Sequence, residues 1–231
     1  MHNIEINIDR VRRRIDEACR SHGRDPSQVT LLAVSKKKPA SDIEAALEAG
    51  QNDFGESYVQ EAETKIAQLN NEALNWHFIG PIQSNKTRRI AELFNWVHSV
   101  DRLKIAQRLN EARPQSLPPL NILLQVNIDA DPAKSGIAAQ DLKQLAQATA
   151  ILPRLRLRGL MAIPSVHENF DDQRKPFAHL RELLHELQKK HPHCDCLSMG
   201  MSGDMEAAIA EGSTLVRIGT AIFGSRETNT V

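Results

Sequence analysis

The first twenty residues place apolar side chains three or four positions apart, which is the spacing of one face of an α-helix. The positions concerned are Ile4, Ile8, Val11, Ile15 and Cys19. Most residues between them are polar or charged, so the pattern predicts an amphipathic helix with one buried face. Gly23 follows closely, where glycine commonly terminates a helix, and we expect the helix to end there.

Beyond this helix, short runs with the composition of strands alternate with segments of helical period. The strand candidates are residues 29–35, 53–57, 76–80, 95–100, 121–128, 155–163, 196–202 and 213–223. The helix candidates between them are residues 41–50, 57–69, 84–94, 101–112, 138–152, 170–190 and 203–212. Each strand except the last is thus followed by a helix, and such alternation indicates parallel strands with crossover helices.

Eight such strands in a chain of 231 residues match the size of a closed (β/α)8 barrel. An open doubly wound sheet is the alternative, and it requires residues 53–57 and 95–100 to be loops. The proline-rich segment 113–121 is the best candidate for a domain boundary, but proline is ordinary in a loop between a helix and a strand. We therefore predict an α/β protein with one domain, residues 1–231, folded as a TIM barrel with an extra N-terminal helix.

Several helix ends carry recognisable capping residues. Ser41 with a glutamate three residues later fits a capping box, and Asp101 is placed to cap the helix that follows it. Gly50 and Gly212 each follow an alanine-rich helix, where a left-handed residue is favoured. We expect the first two to begin helices and the two glycines to terminate them.

The charges of the chain balance, with 29 basic and 29 acidic residues and a pI near 7.1. This neutrality gives no electrostatic reason to expect nucleic acid or an anionic membrane as a partner. No apolar stretch approaches the roughly 20 residues needed to span a bilayer, and the charged N-terminus is unlike a secretory signal. Three cysteines, an odd number, argue against a disulfide framework. We therefore predict a soluble cytoplasmic protein.

Three consecutive lysines, Lys36 to Lys38, follow the first strand candidate. Side chains alternate along a strand, so Lys36 shares a face with Leu32, while Lys37 points the other way. In such barrels the functional residues lie at the C-terminal ends of the strands. If the face of Lys36 is the interior, apolar surroundings disfavour its charged form and make it a good Schiff-base nucleophile. A lysine that reaches out to solvent is the alternative; Lys37 and Lys38 are expected to be solvated.

Glycines and hydroxyl side chains accompany the last two strand candidates. Gly200 and Gly219 let the backbone approach a ligand closely, and Ser198, Ser202 and Thr220 add hydroxyl donors. The loops after strands seven and eight form the usual phosphate site of these barrels. The pattern therefore indicates a phosphate cradle, with glycines that only permit tight packing as the alternative.

Three further residues on strands are candidates for ligand contact. Arg217 in the last strand is costly to bury unless a carboxylate, a phosphate or a ring acceptor meets it, so it either binds a ligand or is paired structurally. Met161 closes the sixth strand, and His77 lies in the third, where a satisfied structural histidine is the commoner outcome. The segment "HPHCDC" at residues 191–196 has spacings too short for a zinc site, and we predict no metal.

The stretch "WHFIGPIQSNKTRRI" at residues 76–90 is the most specific of the chain. Together with "LLAVSKKKPA", "FGESYVQEA", "VNIDADPAKSGI", "RGLMAIP" and "LSMGMSGDMEAAIAEGSTLVRIGTAIFG", it resembles the pyridoxal 5′-phosphate homeostasis protein family. These stretches span nearly the whole chain. The resemblance implies a barrel of the alanine racemase N-terminal domain type.

The resemblance also implies that Lys36 binds the aldehyde of pyridoxal 5′-phosphate (PLP) as a Schiff base and that Arg217 faces the pyridine nitrogen. A guanidinium cannot accept a proton, so the ring would stay unprotonated and withdraw electrons weakly. Ser57 departs from the family, where asparagine is common at this position. The phosphate is implied to be held by Ser198, Ser202, Gly219 and Thr220. The full set of residues implied to bind the cofactor is Lys36, Ser57, His77, Met161, Ser198, Gly200, Ser202, Arg217, Gly219 and Thr220.

The function implied by the resemblance is intracellular PLP homeostasis, in which the protein holds PLP reversibly without turnover and buffers it or releases it to PLP-dependent apo-enzymes. A racemase needs an acid or base on both faces of the α-carbon. The chain has a single tyrosine, Tyr58, and stops seven residues after Gly224. We find no evident second acid or base opposite Lys36, and we expect a site open to solvent.

A PLP-dependent racemase-like enzyme and a class I aldolase-type barrel are the alternatives, although an aldolase lysine more usually lies on a later strand. No exposed apolar helix face demands a dimer, and we expect a monomer.

Overall fold

The barrel is formed by eight short strands that pair in chain order and close on themselves. The strands are β1 (Thr30–Val34), β2 (Asp53–Glu56), β3 (Asn75–Phe78), β4 (Trp96–Val100), β5 (Leu120–Gln125), β6 (Leu155–Met161), β7 (Cys196–Ser198) and β8 (Leu215–Ile218). All eight neighbouring pairs are parallel, and β8 pairs with β1. This computed structural model describes residues 3–225, so residues 1–2 and 226–231 of the predicted domain lie outside the described part.

Helices follow the strands and surround the barrel. They are α1 (Ile4–Ser21), α2 (Ala40–Glu48), α3 (Val59–Leu69), α4 (Thr87–Leu93), α5 (Leu103–Ala112), α6 (Leu142–Ala150), α7 (Phe170–Gln188), α8 (Met205–Ala210) and α9 (Thr220–Phe223). Short 3-10 turns occupy Pro26–Gln28, Ser84–Lys86 and Ala139–Asp141. The predicted apolar face of α1 is confirmed, because its five predicted positions are all buried. Between residues 3 and 225, no helix combines the length and the apolar composition needed to cross a membrane.

The closed barrel confirms the predicted fold, and the open doubly wound sheet is wrong. Residues 53–57 and 95–100, which the open sheet required to be loops, contain β2 and β4. The prediction for the last strand is too long, because the strand ends at Ile218 and residues 220–223 form α9. A short apolar run such as "TAIF" has no period that separates a strand from a helix, so the sequence alone could not place this boundary.

Two apolar layers separate the inside of the barrel from its outer surface. One cluster fills the interior with Leu32, Leu123, Met161, Cys196 and Leu215. The larger cluster lies between the sheet and the helices and includes the two neighbours of Leu32 on β1. Strand alternation therefore divides side chains between the two layers as expected for a barrel.

The predicted helix ends were right at the glycines and wrong at the polar caps. Gly23, Gly50 and Gly212 all have left-handed φ values, of 64°, 74° and 93°. Helix α2 begins at Ala40, one residue before Ser41.

Asp101 does not cap α5. The helix begins at Leu103, and the Asp101 carboxylate instead accepts a hydrogen bond from the side chain of Arg102 at 2.6 Å. Similarly, Pro39 precedes α2 with a φ of −68°, which already suits the entry to a helix and moves its start ahead of the predicted cap. Competing local contacts thus displaced both caps.

Gly80, two residues after the end of β3, lies so close to the backbone of Ser57 that any side chain there would overlap it. A Cβ there would lie 2.2 Å from the carbonyl oxygen of Ser57. We expect Gly80→Ala to lower the free energy of unfolding by about 1–3 kcal/mol, because the backbone must shift to relieve the overlap. Urea unfolding measures this. Gly203→Ala is the matched control, since no heavy atom lies within 4 Å of its added Cβ. Equal stability of the two variants would contradict the close approach.

Candidate functional site

Lys36 lies two residues beyond the end of β1, where the chain leaves the barrel. Leu32, four residues earlier, packs in the interior cluster, which supports the interior face expected for Lys36. Lys36 is half-buried, whereas Lys37 is exposed and has a left-handed φ of 62°. The backbone therefore turns immediately after Lys36. Lys38 is not simply solvated as predicted, because it is half-buried and its Nζ donates to the carbonyl oxygen of Ser225 at 3.0 Å.

A buried ion cluster lies behind this turn, between the barrel and α3. The Nζ of Lys65 donates to the carbonyl oxygen of Ser35 at 2.8 Å, to Glu56 Oε1 at 2.7 Å and to Glu61 Oε1 at 2.6 Å. The hydroxyl of Ser35 also donates to Glu56 Oε1, at 2.7 Å. Lys65 thereby ties the end of β1 to the end of β2 and to α3.

The same cluster reaches the other side of Lys36. The backbone N–H of Lys37 donates to the carboxylate of Glu61, which also accepts from Lys65. Hydrogen bonds therefore hold the peptide groups both before and after Lys36. This bracing accounts for the persistence of a left-handed residue that is not glycine at Lys37, a conformation that is unfavourable by itself.

The charges in this cluster are expensive to bury singly. Glu56 is fully buried and Lys65 is 5% exposed. Burial raises the pKa of the Glu56 carboxyl, and the adjacent Lys65 ammonium opposes that rise. Among residues 3–225, Glu56 Oε2 is one of the buried side-chain atoms that has no hydrogen-bond partner. The Glu56 charge thus depends on Lys65, a residue that the sequence analysis did not single out.

Arg217 lies inside the barrel near the end of β8 and is 5% exposed. Its Nη1 donates to the carbonyl oxygen of Ser198 at 2.6 Å and to the hydroxyl of Ser198 at 2.8 Å. Its Nη2 donates to the carbonyl oxygen of Ala162 at 2.9 Å. Burial lowers the pKa of the guanidinium to about 10, so it remains charged at neutral pH. The arginine is therefore held by neutral acceptors, two carbonyl groups and a hydroxyl.

The pairing of β1 with β8 brings Arg217 beside the strand that leads to Lys36. Leu32 lies opposite Arg217 in the register of the two strands. Gly219 follows two residues later, where an added Cβ would lie 3.3 Å from the carbonyl oxygen of Val34. The candidate residues on β1 and β8 thus meet at the C-terminal end of the barrel, where such barrels carry their functional sites.

The other candidate phosphate residues lie in the segments that follow β7 and β8. Gly200 has a φ of 96°, and an added Cβ would lie 2.7 Å from the Cβ of Ala208, so the position requires glycine. Ser202 is half-buried before α8, and its carbonyl oxygen accepts from Arg14 at 3.2 Å. Thr220 is exposed at the first residue of α9. Phosphate binding by these residues stays a prediction.

Two predicted site residues use their polar atoms within the barrel. The hydroxyl of Ser198, a fully buried residue, lies 2.9 Å from His98 Nδ1 in addition to its contact with Arg217. His77 is 1% exposed, with Nδ1 2.9 Å from His98 Nε2 and Nε2 3.1 Å from Asp53 Oδ1. The structure thus places Ser198 against Arg217, and His77 with His98 and Asp53. His98 was not predicted from the sequence, because one histidine on a strand carries no motif.

The remaining two candidates lie on neighbouring parts of the barrel. Met161 is 1% exposed in the interior cluster and lies opposite Ser198 in the pairing of β6 with β7. Ser57 is half-buried directly after β2, with its backbone in close approach to Gly80. A hydroxyl replaces the amide common in the family here, and its contact with a ligand stays a prediction.

The cysteines and histidines of residues 191–196 do not form a metal cluster. Over the described range, residues 3–225, no group of three or more His, Cys, Asp or Glu side chains could hold a metal ion. Burial raises the pKa of Cys194 and of Cys196 to about 11 each, which keeps both thiols protonated at neutral pH. Protonated thiols are poor metal ligands, since binding requires the thiolate.

Comparisons with known proteins extend over nearly the whole chain. The family described as alanine racemase, N-terminal domain, matches residues 6–227. The pyridoxal phosphate homeostasis protein of Pseudomonas aeruginosa is 60% identical over 227 residues, which cover 98% of this chain and 97% of that protein. The protein of the same name from Escherichia coli K12 is 54% identical over 230 residues, or 98% of each chain.

Solved structures show the same relationship. PipY of Synechococcus elongatus with PLP bound has a TM-score of 0.80 and 39% identity, covering 91% of this chain and 100% of that chain. Alanine racemase from Corynebacterium glutamicum has a TM-score of 0.70 at 15% identity, over 99% of this chain and 62% of that chain, and shares the fold alone. This chain therefore belongs to the pyridoxal phosphate homeostasis protein family, which has the barrel of the alanine racemase N-terminal domain.

Proposed function

We propose that the protein binds PLP reversibly through Lys36 and serves intracellular PLP homeostasis without catalytic turnover. When bound, PLP supplies an aldehyde that a primary amine attacks with loss of water. In this role Lys36 is the covalent anchor, and Ser202, Gly219 and Thr220 bind the phosphate. Gly200 takes the place of the predicted Ser198, because the Ser198 hydroxyl is engaged by His98 and Arg217. The names of the relatives from P. aeruginosa and E. coli, and PLP in the PipY structure, support the proposal.

The observation that carries the proposal is the pairing of β1 with β8. Lys36 follows the end of β1, and the neighbouring strand β8 carries the buried Arg217. Gly219, directly after β8, approaches the backbone of Val34 on β1. A buried guanidinium whose hydrogen bonds go to two carbonyl groups and a hydroxyl fits a ligand that brings a further acceptor or a negative charge. The residues present therefore fit a cofactor that has an aldehyde, a ring nitrogen and a phosphate.

Arg217 gives the proposed site a specific chemical character. Its guanidinium can donate to a ring nitrogen but cannot accept or deliver a proton at neutral pH. It therefore orients the ring and keeps the nitrogen unprotonated, which weakens the ring as an electron sink. Such a site suits holding the cofactor better than breaking bonds in an amino acid.

The side chains available for acid–base chemistry also favour binding over turnover. Tyr58, the chain's single tyrosine, is 50% exposed at the N-terminus of α3. A two-base racemisation needs a second acid or base opposite the lysine, and an exposed tyrosine outside the barrel is poorly placed for that. Racemase-like turnover would appear as D-amino acids in the chiral analysis of the loaded protein.

We further propose the recipients, the oligomeric state and the location of the protein. It releases PLP to PLP-dependent apo-enzymes, and it is a monomer in the cytoplasm. All three cysteines, Cys19, Cys194 and Cys196, are free and buried, which accords with a reducing compartment.

Transfer and turnover can be measured on the same preparation. Protein loaded with PLP is mixed with a PLP-dependent apo-enzyme, and recovery of that enzyme's activity is compared with recovery in an equal concentration of free PLP. We expect the loaded protein to restore activity. In parallel, L-amino acids are incubated with the loaded protein and analysed by chiral chromatography, and we expect no D-isomer above the level given by free PLP. Sustained racemisation would overturn the non-enzymatic role, and absence of any transfer would overturn the proposed outlet.

A further inference from the structure

The interior of the barrel contains a continuous chain of hydrogen bonds that crosses it from one end to the other. Asp53 Oδ1 lies 3.1 Å from His77 Nε2, His77 Nδ1 lies 2.9 Å from His98 Nε2, and His98 Nδ1 lies 2.9 Å from the Ser198 hydroxyl. The hydroxyl in turn accepts from Arg217 at 2.8 Å. The chain uses side chains of five strands, and every link has hydrogen-bonding geometry.

The two ends of the chain fix the direction of the donors. The Asp53 carboxylate can only accept, so a neutral His77 carries its proton on Nε2 and accepts on Nδ1 from His98 Nε2–H. His98 Nδ1 then accepts from the Ser198 hydroxyl, whose oxygen accepts from Arg217, a group that can only donate. All donors therefore point from the arginine towards the aspartate, with both imidazoles neutral.

The neutral state of both imidazoles agrees with their surroundings. Burial lowers the pKa of His77 against the opposing effect of Asp53. Burial also lowers the pKa of His98 strongly, and repulsion from the Arg217 charge adds to the effect. The His77 ring is also stacked on Trp96, with centroids 5.5 Å apart and planes 4° from parallel. The stacking thus fixes the orientation of the His77 ring, and the hydrogen bonds fix which ring nitrogens carry protons.

One end of the chain reaches water at the N-terminal mouth of the barrel. Asp53 is the first residue of β2, and its side chain is 27% exposed. A cavity of about 490 Å³ opens there, and its lining includes Asp53, His77, Trp96 and Arg158. The other end lies at Arg217, near the C-terminal ends of the strands. The aligned groups turn their acceptor ends towards the arginine, which adds to the favourable interaction of its buried charge with Asp204.

We propose that Asp53, His77, His98 and Ser198 are positioning residues that act as one chain to hold the guanidinium of Arg217 in a single orientation for its ligand. The chain explains why two buried histidines replace the branched apolar residues that usually fill such a barrel. Fully satisfied buried networks of this kind rigidify the groups they contain. The part of the proposal that concerns the cofactor rests on the proposed PLP binding, whereas the order of donors does not.

The donor order is tested in the protein without cofactor. Two-dimensional ¹H–¹⁵N NMR of histidine side chains reports which ring nitrogen carries the proton. We expect both His77 and His98 to be neutral Nε2–H tautomers at neutral pH. A proton on Nδ1 of His98, or a charged imidazole at either position, would overturn the chain, whether or not the protein binds PLP.

The positioning role is tested with His77→Leu, which breaks the chain two links from Arg217. We expect its dissociation constant for PLP to rise about fivefold, the equivalent of one net hydrogen bond, and the visible absorbance of bound PLP to shift. Gln51→Leu is the control, since Gln51 is a buried residue near the same mouth that donates to the carbonyl oxygens of Leu31 and Asp53. It should lower stability and leave both cofactor readouts unchanged.

The outcomes separate the two proposals. Unchanged affinity and absorbance in His77→Leu would overturn the positioning role, and so would an equal change in Gln51→Leu. If His77→Leu fails to fold, Asp53→Ala at the half-buried end of the chain must move affinity and absorbance in the same direction. Wild-type protein that binds no PLP would overturn the proposed function, while the tautomer measurement would still decide the chain.

Discussion

Lys36→Ala is expected to lose covalent retention of PLP completely while keeping the barrel intact. No other side chain at the end of β1 offers an amine on the interior face, and the strand is held by Leu31, Leu32 and Ala33, all of which are buried. The measurement is visible absorbance after gel filtration, which removes PLP that is not retained. Circular dichroism and thermal unfolding of the same sample show whether the fold persists.

Lys37→Ala is the matched control for this variant. Lys37 is the next residue, carries the same charge and is exposed. Its replacement should leave the absorbance of retained PLP at the wild-type level. Retention of colour by Lys36→Ala would contradict the anchor, and unfolding of Lys36→Ala would show instead that the lysine is structural.

Lys65→Met is expected to lower the free energy of unfolding by about 3–5 kcal/mol, because it leaves Glu56 as a buried carboxylate without a counter-charge. It also releases the carbonyl of Ser35 and the carboxylate of Glu61, the two groups that brace the turn at Lys36. Urea unfolding at neutral pH measures the loss. We further expect the variant to release PLP faster than the wild type.

The pH dependence of this loss has a definite sign. Burial raises the pKa of Glu56, and removing Lys65 takes away the charge that lowers it. A carboxyl whose pKa is raised in the folded state binds more protons folded than unfolded, so its stability contribution falls as pH rises. The deficit of Lys65→Met relative to the wild type should therefore grow as the pH rises above the ordinary pKa of a glutamate, about 4.3.

Two further variants isolate the buried charge. Lys175→Met removes a lysine whose side chain is 75% exposed and pairs with Asp172, and it should leave the free energy of unfolding close to that of the wild type. Adding Glu56→Gln to Lys65→Met should recover part of the lost stability, since the uncompensated charge is gone. A large cost for Lys175→Met, or a further loss in the double variant, would contradict the role given to the Lys65–Glu56 pair.

The fold was predictable because it rests on regular periods. The alternation of strands and helices indicated the eight units of the barrel, and alternation along β1 placed Leu32 on its interior face. The glycine at residue 212 likewise ends α8 with the φ of 93° that its position after a helix predicts. In each case a local pattern determines the conformation with no knowledge of distant residues.

The supporting residues were not predictable because their partners are remote in sequence. Lys65 is indistinguishable from a solvated lysine on an amphipathic helix until β1 and β2 are brought against α3. His98 meets Ser198, one hundred residues away, only when the barrel closes. A contact of His77 with the cofactor stays a prediction, and the structure places its ring nitrogens against His98 and Asp53. Tertiary pairing of polar groups leaves no periodic signal in a single sequence.

The most direct test of the central claim is the site of covalent attachment of PLP. The protein is loaded with PLP, reduced with borohydride to make the bond permanent, digested and analysed by mass spectrometry. We expect the pyridoxyl label on Lys36, with Lys37, Lys38 and Lys65 unlabelled. A protein that carries no label, or carries it mainly on another lysine, would contradict it.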